Sequence, residues 1–306
     1  MNSIRPKLGI VIVNYLNYTD TINYIEKFIL HQEDIDPEIV IVDNASPNES
    51  FRLLEESFRG NTGINVLRSL ENCGYAAGNN IGIRFLEKKG CDFILISNSD
   101  IYFDDRCLLI KMITKYKQLE KVAFVSPVML VKDRICSEFS AWKLPTKLKE
   151  ILSSTFLLKF LGSRYLAGFY YKIVTGNDIS LKVECVGGSF FLGKVDIFRK
   201  INYFDENTFL YYEETILGLK VKKINLNNYL LQELKYTHLQ AHTINAVFSV
   251  SKKYRMLLDS KLYYWKTFFG GGKIFLITMK FLYLILVAEQ FCISCVKIFS
   301  KRVIND

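Results

Sequence analysis

Four short apolar runs stand in the first third of the chain, and each gives way abruptly to polar residues. They are Leu8–Tyr15 (LGIVIVNY), Glu38–Val42 (EIVIV), Ile64–Leu67, and the run from Phe93 that ends in Ser97-Asn98-Ser99-Asp100. Each has the length of a strand, and β-branched residues dominate. Such runs can be buried on both faces, as in a parallel sheet. Between them, apolar residues recur at helical spacing. Ile22, Ile25, Phe28 and Ile29 follow a Thr19 or Asp20 cap, Phe51–Phe58 reads as a second helix, and a third runs through Leu86. Strands alternating with helices predict βαβ units, hence an α/β fold on a parallel sheet with right-handed crossovers. Ligands of such sheets bind beyond the carboxyl ends of the strands. Tyr15, Asp43, Asn72 and Asp100 each follow a strand, so they are predicted to meet at one sheet edge.

Several of these segments admit two readings. A lone carboxylate at Asp100 suits a hard cation, which takes one or two protein carboxylates plus phosphate oxygens and water. Ser, Asn and Asp are also ordinary turn formers. Glu71–Gly82 (ENCGYAAGNNIG) sets three glycines at a helix start. Either a phosphate or sugar approaches the backbone amides there, or the helix packs closely on a strand. Gly187-Gly188 interrupt the strand ECVGGSFFLGK, a sign of close ligand approach. Glu213-Glu214 precede a short helix, Ile216–Lys223. They are acids favoured by the helix dipole, or one of them is a general base facing a pocket. His238 and His242 have a spacing that would share one helical face. No HExxH accompanies them, so the expectation is a single His serving the site rather than a two-His zinc centre.

Half of the 306 residues are apolar, which excludes a disordered chain. The net charge of +9 suits nucleic acid, an anionic membrane or phosphorylated substrates. The basic residues are dispersed and carry no RNA- or DNA-binding motif, so nucleic acid is not an expected partner. Seven scattered cysteines without a secretory signal predict a reducing compartment. Cys292 and Cys295 form a CxxC pair without a second pair, and core packing is expected of them. Lys132–Asn177 is basic and aromatic, and is expected to contact acceptor or membrane. Ser251–Phe269 reads as an amphipathic helix, broken by Gly270-Gly271-Gly272. The apolar stretch Ile274–Phe299 is interrupted by Lys280 and Glu289, whereas a spanning helix needs roughly 20 apolar residues. Two readings remain for it: a helix lying in the membrane interface, or one packed on protein.

With these residues in view, the chain resembles the family 2 glycosyltransferases of the GT-A fold. It looks most like the rhamnosyltransferase-like branch that builds bacterial capsule or O-antigen polysaccharide. The resemblance spans roughly residues 7 to 260. It rests on VIVNY, IVDNAS, NCGYAAGNNIG, the strand end ISNSD, and GGSFFLGKVDIF followed by NYFDENTFLYYEE and a His. It implies a GT-A domain over 1–250; the C-terminal helical region over 251–306 is the one whose charge and apolar pattern suit association with a membrane. The resemblance also implies inverting transfer of a sugar, rhamnose being one candidate, from a nucleotide diphosphosugar. The acceptor would be a hydroxyl of a growing glycan on a lipid carrier, at the cytoplasmic face of the cell membrane. Under the resemblance Asp43 contacts the nucleobase, and Tyr15 and Asn44 lie in nucleotide-binding loops. Asn72, Gly74, Asn80 and Gly188 border the donor. Asn98 and Asp100 are the ends of the DXD-like motif that holds Mg²⁺ or Mn²⁺, with His238 near the diphosphate or metal. Glu214 is the catalytic base, preceded by Glu213. The chain departs from the pattern at Asn98-Ser99-Asp100, at Glu213-Glu214, where the second acid is one methylene longer, and at Ile216 and Lys220. The alternative these departures raise is a weakly active or inactive GT-A scaffold in a polysaccharide assembly complex.

Overall fold

A computed structural model describes residues 6–174, 179–239 and 248–305, with side chains up to Cys292 in the last of these segments. The four apolar runs form β1 (Leu8–Asn14), β2 (Glu38–Asp43), β3 (Ile64–Arg68) and β4 (Phe93–Ser97). Between them lie α1 (Tyr18–Tyr24), α2 (Ser50–Ser57) and α3 (Tyr75–Lys88). Then come β5 (Ile101–Tyr102), α4 (Leu108–Gln118) and β6 (Val122–Val131). The basic, aromatic stretch resolves into short pieces: β7 (Arg134–Ile135), α5 (Ser137–Ser140), β8 (Ala141–Trp142), α6 (Lys147–Leu152), α7 (Phe156–Leu161) and α8 (Ser163–Ala167). Beyond it are β9 (Ser180–Val183), β10 (Cys185–Val186), β11 (Phe190–Lys194), α9 (Val195–Lys200) and α10 (Glu213–Lys223). The last elements are β12 (Asn227–His238), α11 (Val250–Phe269) and α12 (Lys273–Asn305).

The main sheet runs β3-β2-β1-β4-β11-β6-β12-β5. Its first four strands are parallel, β11 is antiparallel to both neighbours, and β12 returns parallel to β6. The sheet is buried on both sides, as continuous Ile/Val runs require. On β1, Leu8, Ile10 and Ile12 face a core shared with Tyr24 and Ile25, while Val11 faces one shared with α3 through Ala76, Ile83 and Leu86. Each such side chain stabilises the fold by roughly 1.5–3 kcal/mol. Two glycines of the ENCGYAAGNNIG segment are explained by packing. A Cβ on Gly82 would stand 2.5 Å from Val11, and one on Gly78 3.0 Å from Val13.

A third core gathers Tyr212, Ile216 and Leu219 around α10 with Tyr264 and Trp265 of α11 and Phe275 and Met279 of α12. Beneath it Glu150 of α6 is fully buried, pairs with Lys261 at 2.8 Å and accepts from the Tyr212 hydroxyl. The last helices therefore brace the helix that begins with Glu213.

Three expectations are corrected. His238 closes a strand, β12, so it shares no helical face with His242, which lies outside the described residues. Cys292 is exposed rather than packed in a core. The stretch Lys273–Cys292 is one helix, long and apolar enough to cross a membrane by length and composition alone. Its charged residues do not interrupt it, because Lys280 lies exposed and Glu289 accepts from the backbone amides of Phe156 and Leu157.

Candidate active site

The carboxyl ends of the parallel strands open onto a cavity of about 190 Å³. Tyr15, Asn44, Asn72, Gly74, Asn98, Asp100 and His238 all line it. Side-chain amides shape its wall. Asn44 Nδ2 donates to Asn72 Oδ1 at 2.9 Å and to the Gly74 carbonyl at 3.0 Å. Asn72 Oδ1 in turn accepts from the Gly74 amide at 3.1 Å. At the other side Asp100 Oδ1 lies 3.0 Å from His238 Nε2, an approach made possible where β5 pairs with the end of β12.

Three residues assigned to the donor, Asp43, Asn80 and Gly188, lie outside this wall. Asp43 is fully buried; it accepts from Asn14 Nδ2 at 2.9 Å and from the Ser46 amide at 2.9 Å. Ser46 Oγ then accepts from the Leu16 amide, so Asp43 orders the loops after β1 and β2 from beneath. Asn80 exchanges hydrogen bonds with both the amide and the carbonyl of Phe204 and also donates to Glu206. It fastens the 204–212 segment to α3.

A second cavity of about 530 Å³ adjoins the first, and Tyr75, Asn98, Leu210 and His238 border both. Glu213 and Glu214 lie in its wall, with Trp142, Tyr170, Tyr211 and Lys149 around them. The two acids stand at the first turn of α10 because Tyr211 and Tyr212 both adopt left-handed backbone conformations, with φ of 73° and 75°. Burial pushes the Glu213 carboxyl well above the usual carboxylate range, and the charge of Glu214 raises it further. Glu213 Oε1 is buried with no hydrogen-bond partner among the described residues. Burial also raises Glu214, against the pull of the backbone amides of Glu214 and Gly188. A carboxylate raised this way is a better proton acceptor once ionised.

The glycine pair before β11 lines the second cavity and also makes room for neighbouring protein groups. A Cβ on Gly187 would stand 2.4 Å from the Phe139 carbonyl, and one on Gly188 2.4 Å from Glu214 Oε1. Gly74 has φ of 91°, and a Cβ there would stand 2.1 Å from the Phe209 carbonyl. Sequence reasoning missed Tyr75. Its hydroxyl donates to the Gly188 carbonyl at 2.9 Å and lies 3.2 Å from Asn98 Oδ1, linking the two cavities. The signal was present as the one aromatic residue amid the small and polar ones of Cys73–Gly82.

Among the described residues no three His, Cys, Asp or Glu side chains gather to hold a cation. Asp100 and His238 together supply a carboxylate and an imidazole on one cavity wall. That donor set fits a cation that takes its remaining ligands from a diphosphate and water.

The comparisons agree with this geometry. The model of the family described as Glycosyl transferase family 2 matches residues 10–201. The low-salt glycan biosynthesis hexosyltransferase Agl10 of Haloferax volcanii is 27% identical over 222 residues, covering 72% of this chain and 63% of its own length. The chain therefore spans less than two thirds of that relative. Rhamnosyltransferase WbbL of Escherichia coli K12 is 25% identical over 250 residues, 79% of this chain and 88% of WbbL. Among solved structures, the mannosyltransferase PcManGT of Pyrobaculum calidifontis, in complex with GDP-Man and Mn²⁺, superposes with a TM-score of 0.57 at 12% identity. That match covers 92% of this chain and 70% of PcManGT, and it shows the shared GT-A fold. With its family model matched over most of the sheet and over the strand ends that form the first cavity, the chain belongs to glycosyl transferase family 2.

Proposed function

We propose that the protein is an inverting glycosyltransferase that moves a sugar from a nucleotide diphosphosugar to a glycan hydroxyl. One observation carries the reading. The cavity holding Asp100 and the cavity holding Glu214 meet at Tyr75, Asn98, Leu210 and His238. The donor occupies the first, with Tyr15, Asn44 and Asn72 against the nucleotide. Asp100 and His238 would hold Mg²⁺ or Mn²⁺, which when bound offsets charge on the departing diphosphate. The acceptor occupies the second cavity, against Trp142 and Tyr170. Glu214 takes the proton of the acceptor hydroxyl, and its oxygen forms a bond to the anomeric carbon from the face opposite the diphosphate. The bond from that carbon to the diphosphate breaks, and the nucleotide diphosphate leaves. Inversion follows from the single displacement. Glu213, buried and held towards its neutral form, keeps a second negative charge away from Glu214.

The names of WbbL and Agl10 support a deoxyhexose or hexose as the transferred unit and a glycan as the product, with rhamnose the first sugar to test. We further propose that the glycan is a cell-surface one such as capsule or O-antigen. We assign catalysis to residues 1–250. To 251–306 we assign contact with the cytoplasmic face of the membrane, supported by the exposed Ile277, Phe281 and Leu284 of α12.

Calorimetry with a panel of nucleotide diphosphates, with and without Mn²⁺, tests the donor site on wild type and Asp100→Ala. Metal-dependent binding of one nucleotide, lost in the variant, is expected. Glu214→Gln should retain that binding and lose transfer. Absence of nucleotide binding throughout would turn the reading to the scaffold alternative.

A further inference from the structure

The donor and acceptor cavities meet at Tyr75, and no step of the transfer uses its hydroxyl. Tyr75 opens α3. Its amide donates to the Phe209 carbonyl at 3.1 Å, and its ring meets that of Phe204 edge-on, with centroids 6.3 Å apart. Backbone and ring are thus both held, and this fixes where the hydroxyl lies.

That hydroxyl touches both halves of the site. It donates to the Gly188 carbonyl at 2.9 Å and lies 3.2 Å from Asn98 Oδ1. It has one hydrogen, and the shorter contact takes it. Asn98 belongs to the strand end that borders the first cavity, and its amide donates to the Ser189 carbonyl at 2.8 Å. Gly188 belongs to the base. The Glu214 carboxylate lies against its Cα, where a Cβ would stand 2.4 Å from Oε1, and the Gly188 amide donates to that carboxylate. The step Gly188-Ser189 is therefore tied to Asn98, Tyr75 and Glu214 at once. Burial, then the charge of Glu214, raises the Tyr75 phenol well above its ordinary value, so it stays a neutral donor. A Phe at this position keeps the ring packing on Phe204 and loses only the tie.

We propose that Tyr75 is a positioning residue, which through Gly188 holds the Glu214 carboxylate in register with the donor side of the site at Asn98. This role rests on the reading of the protein as a glycosyltransferase with Glu214 as its base. Without the hydroxyl, the Gly188 carbonyl loses a partner and the turn before β11 relaxes. The Gly188 amide then leaves the carboxylate. Ionised Glu214 loses a hydrogen bond that favours it, so its pKa rises above the wild-type value.

The test compares Tyr75→Phe with wild type in the full chain. Release of nucleoside diphosphate from UDP-glucose, GDP-mannose and dTDP-rhamnose is followed against pH, with Mn²⁺ present and water as the acceptor. On whichever donor is turned over, Tyr75→Phe should lower kcat about tenfold and leave the donor KM within about twofold. It should also move the acid limb of the kcat profile to higher pH, since the base must be ionised to act. Unchanged kcat with an unchanged acid limb overturns the proposal. So does a donor KM that rises while kcat holds, which would make Tyr75 a donor contact.

Thermal melts at about pH 5 and about pH 8 need no substrate. Burial raises Glu214 above the ordinary 4.5, so its stabilising contribution is complete below 4.5 and is lost as pH rises through the folded value. Tyr75→Phe raises that value further. It should therefore lower Tm more at the higher pH than at the lower, and the difference should vanish in a Glu214→Gln background. The other titrating groups near the two acids are Glu213 on the same helix, Cys185 on β10, Tyr236 on β12, and Asp100, His238, Glu138 and Lys149 on the cavity walls. All of them are common to both backgrounds. An equal loss of Tm at the two pH values overturns the positioning role whatever the donor assay shows. A pH-dependent loss that needs Glu214, with no donor turned over by wild type, retains the tie and removes the transferase reading.

Discussion

Glu214 enters its cavity over a residue that has no side chain. A Cβ at position 188 would stand 2.4 Å from its Oε1 and 2.8 Å from its Cγ. Gly188→Ala must displace that carboxylate, and a shift near 1 Å costs on the order of 10²-fold in rate. Steady-state kinetics should show kcat falling by about that factor with the donor KM unchanged. Glu213 offers a different readout. Its folded pKa is raised by burial, then by Glu214, above the ordinary 4.5. Between those two values the folded protein binds more protons than the unfolded chain, so this group's stabilising contribution is complete below 4.5 and is lost as pH rises through the folded value. Glu213→Gln should therefore flatten the decline in stability towards neutral pH and raise Tm at pH 7, as thermal melts across the pH range would show. The residues themselves were legible, since Asn72, Asn98, Asp100 and His238 all reach the cavity wall. Asp43 and Asn80 were legible as polar residues after strands or on the glycine-rich helix. Which way a polar side chain turns depends on long-range partners, Asn14 for Asp43 and Phe204 for Asn80, and no local pattern encodes those.

At the scale of elements, the buried pair Glu150–Lys261 holds α6, α11 and the start of α10 together. Lys261 is 9% exposed and Glu150 0%, so removing the lysine strands a buried carboxylate. Lys261→Ala should cost about 3–5 kcal/mol in urea unfolding, whereas replacing both partners with apolar residues should cost far less. β1 to β4 were legible because runs of Ile and Val buried on both faces leave a strong signal. β12 was not. Gln232, Glu233 and Lys235 break its apolar pattern, and its pairing with β6 shifts register between Leu231 and Lys235. The short helices between 137 and 167 were equally hidden, since none spans two full turns, too short for a periodic signal, and only α6 and α7 carry side-chain caps, from Thr146 and Thr155.

On the scale of the whole molecule, α12 divides its apolar residues between two faces. Phe275, Met279, Leu282 and Leu286 face the protein, while Ile277, Phe281 and Leu284 are each more than 60% exposed. Replacing those three exposed residues with Ser should leave Tm within a few degrees of wild type, because most of each side chain already faces away from the protein. It should reduce partitioning to vesicles by more than tenfold, since each side chain buried in lipid is worth roughly 1.5–3 kcal/mol. Cosedimentation with anionic vesicles measures this, and unchanged partitioning would show that the helix covers its face in some other way. The 204–212 segment, between α9 and α10, has a parallel consequence. It has no regular secondary structure, yet Asn80 latches it at Phe204, and the Tyr75 amide donates to the Phe209 carbonyl at 3.1 Å. Local opening of such a stretch has to break contacts with α3 at both latches together. In deuterium exchange the amides of Tyr75 and Phe204 should therefore label slowly and in step, so that a loop by geometry behaves as part of the helix it rests on.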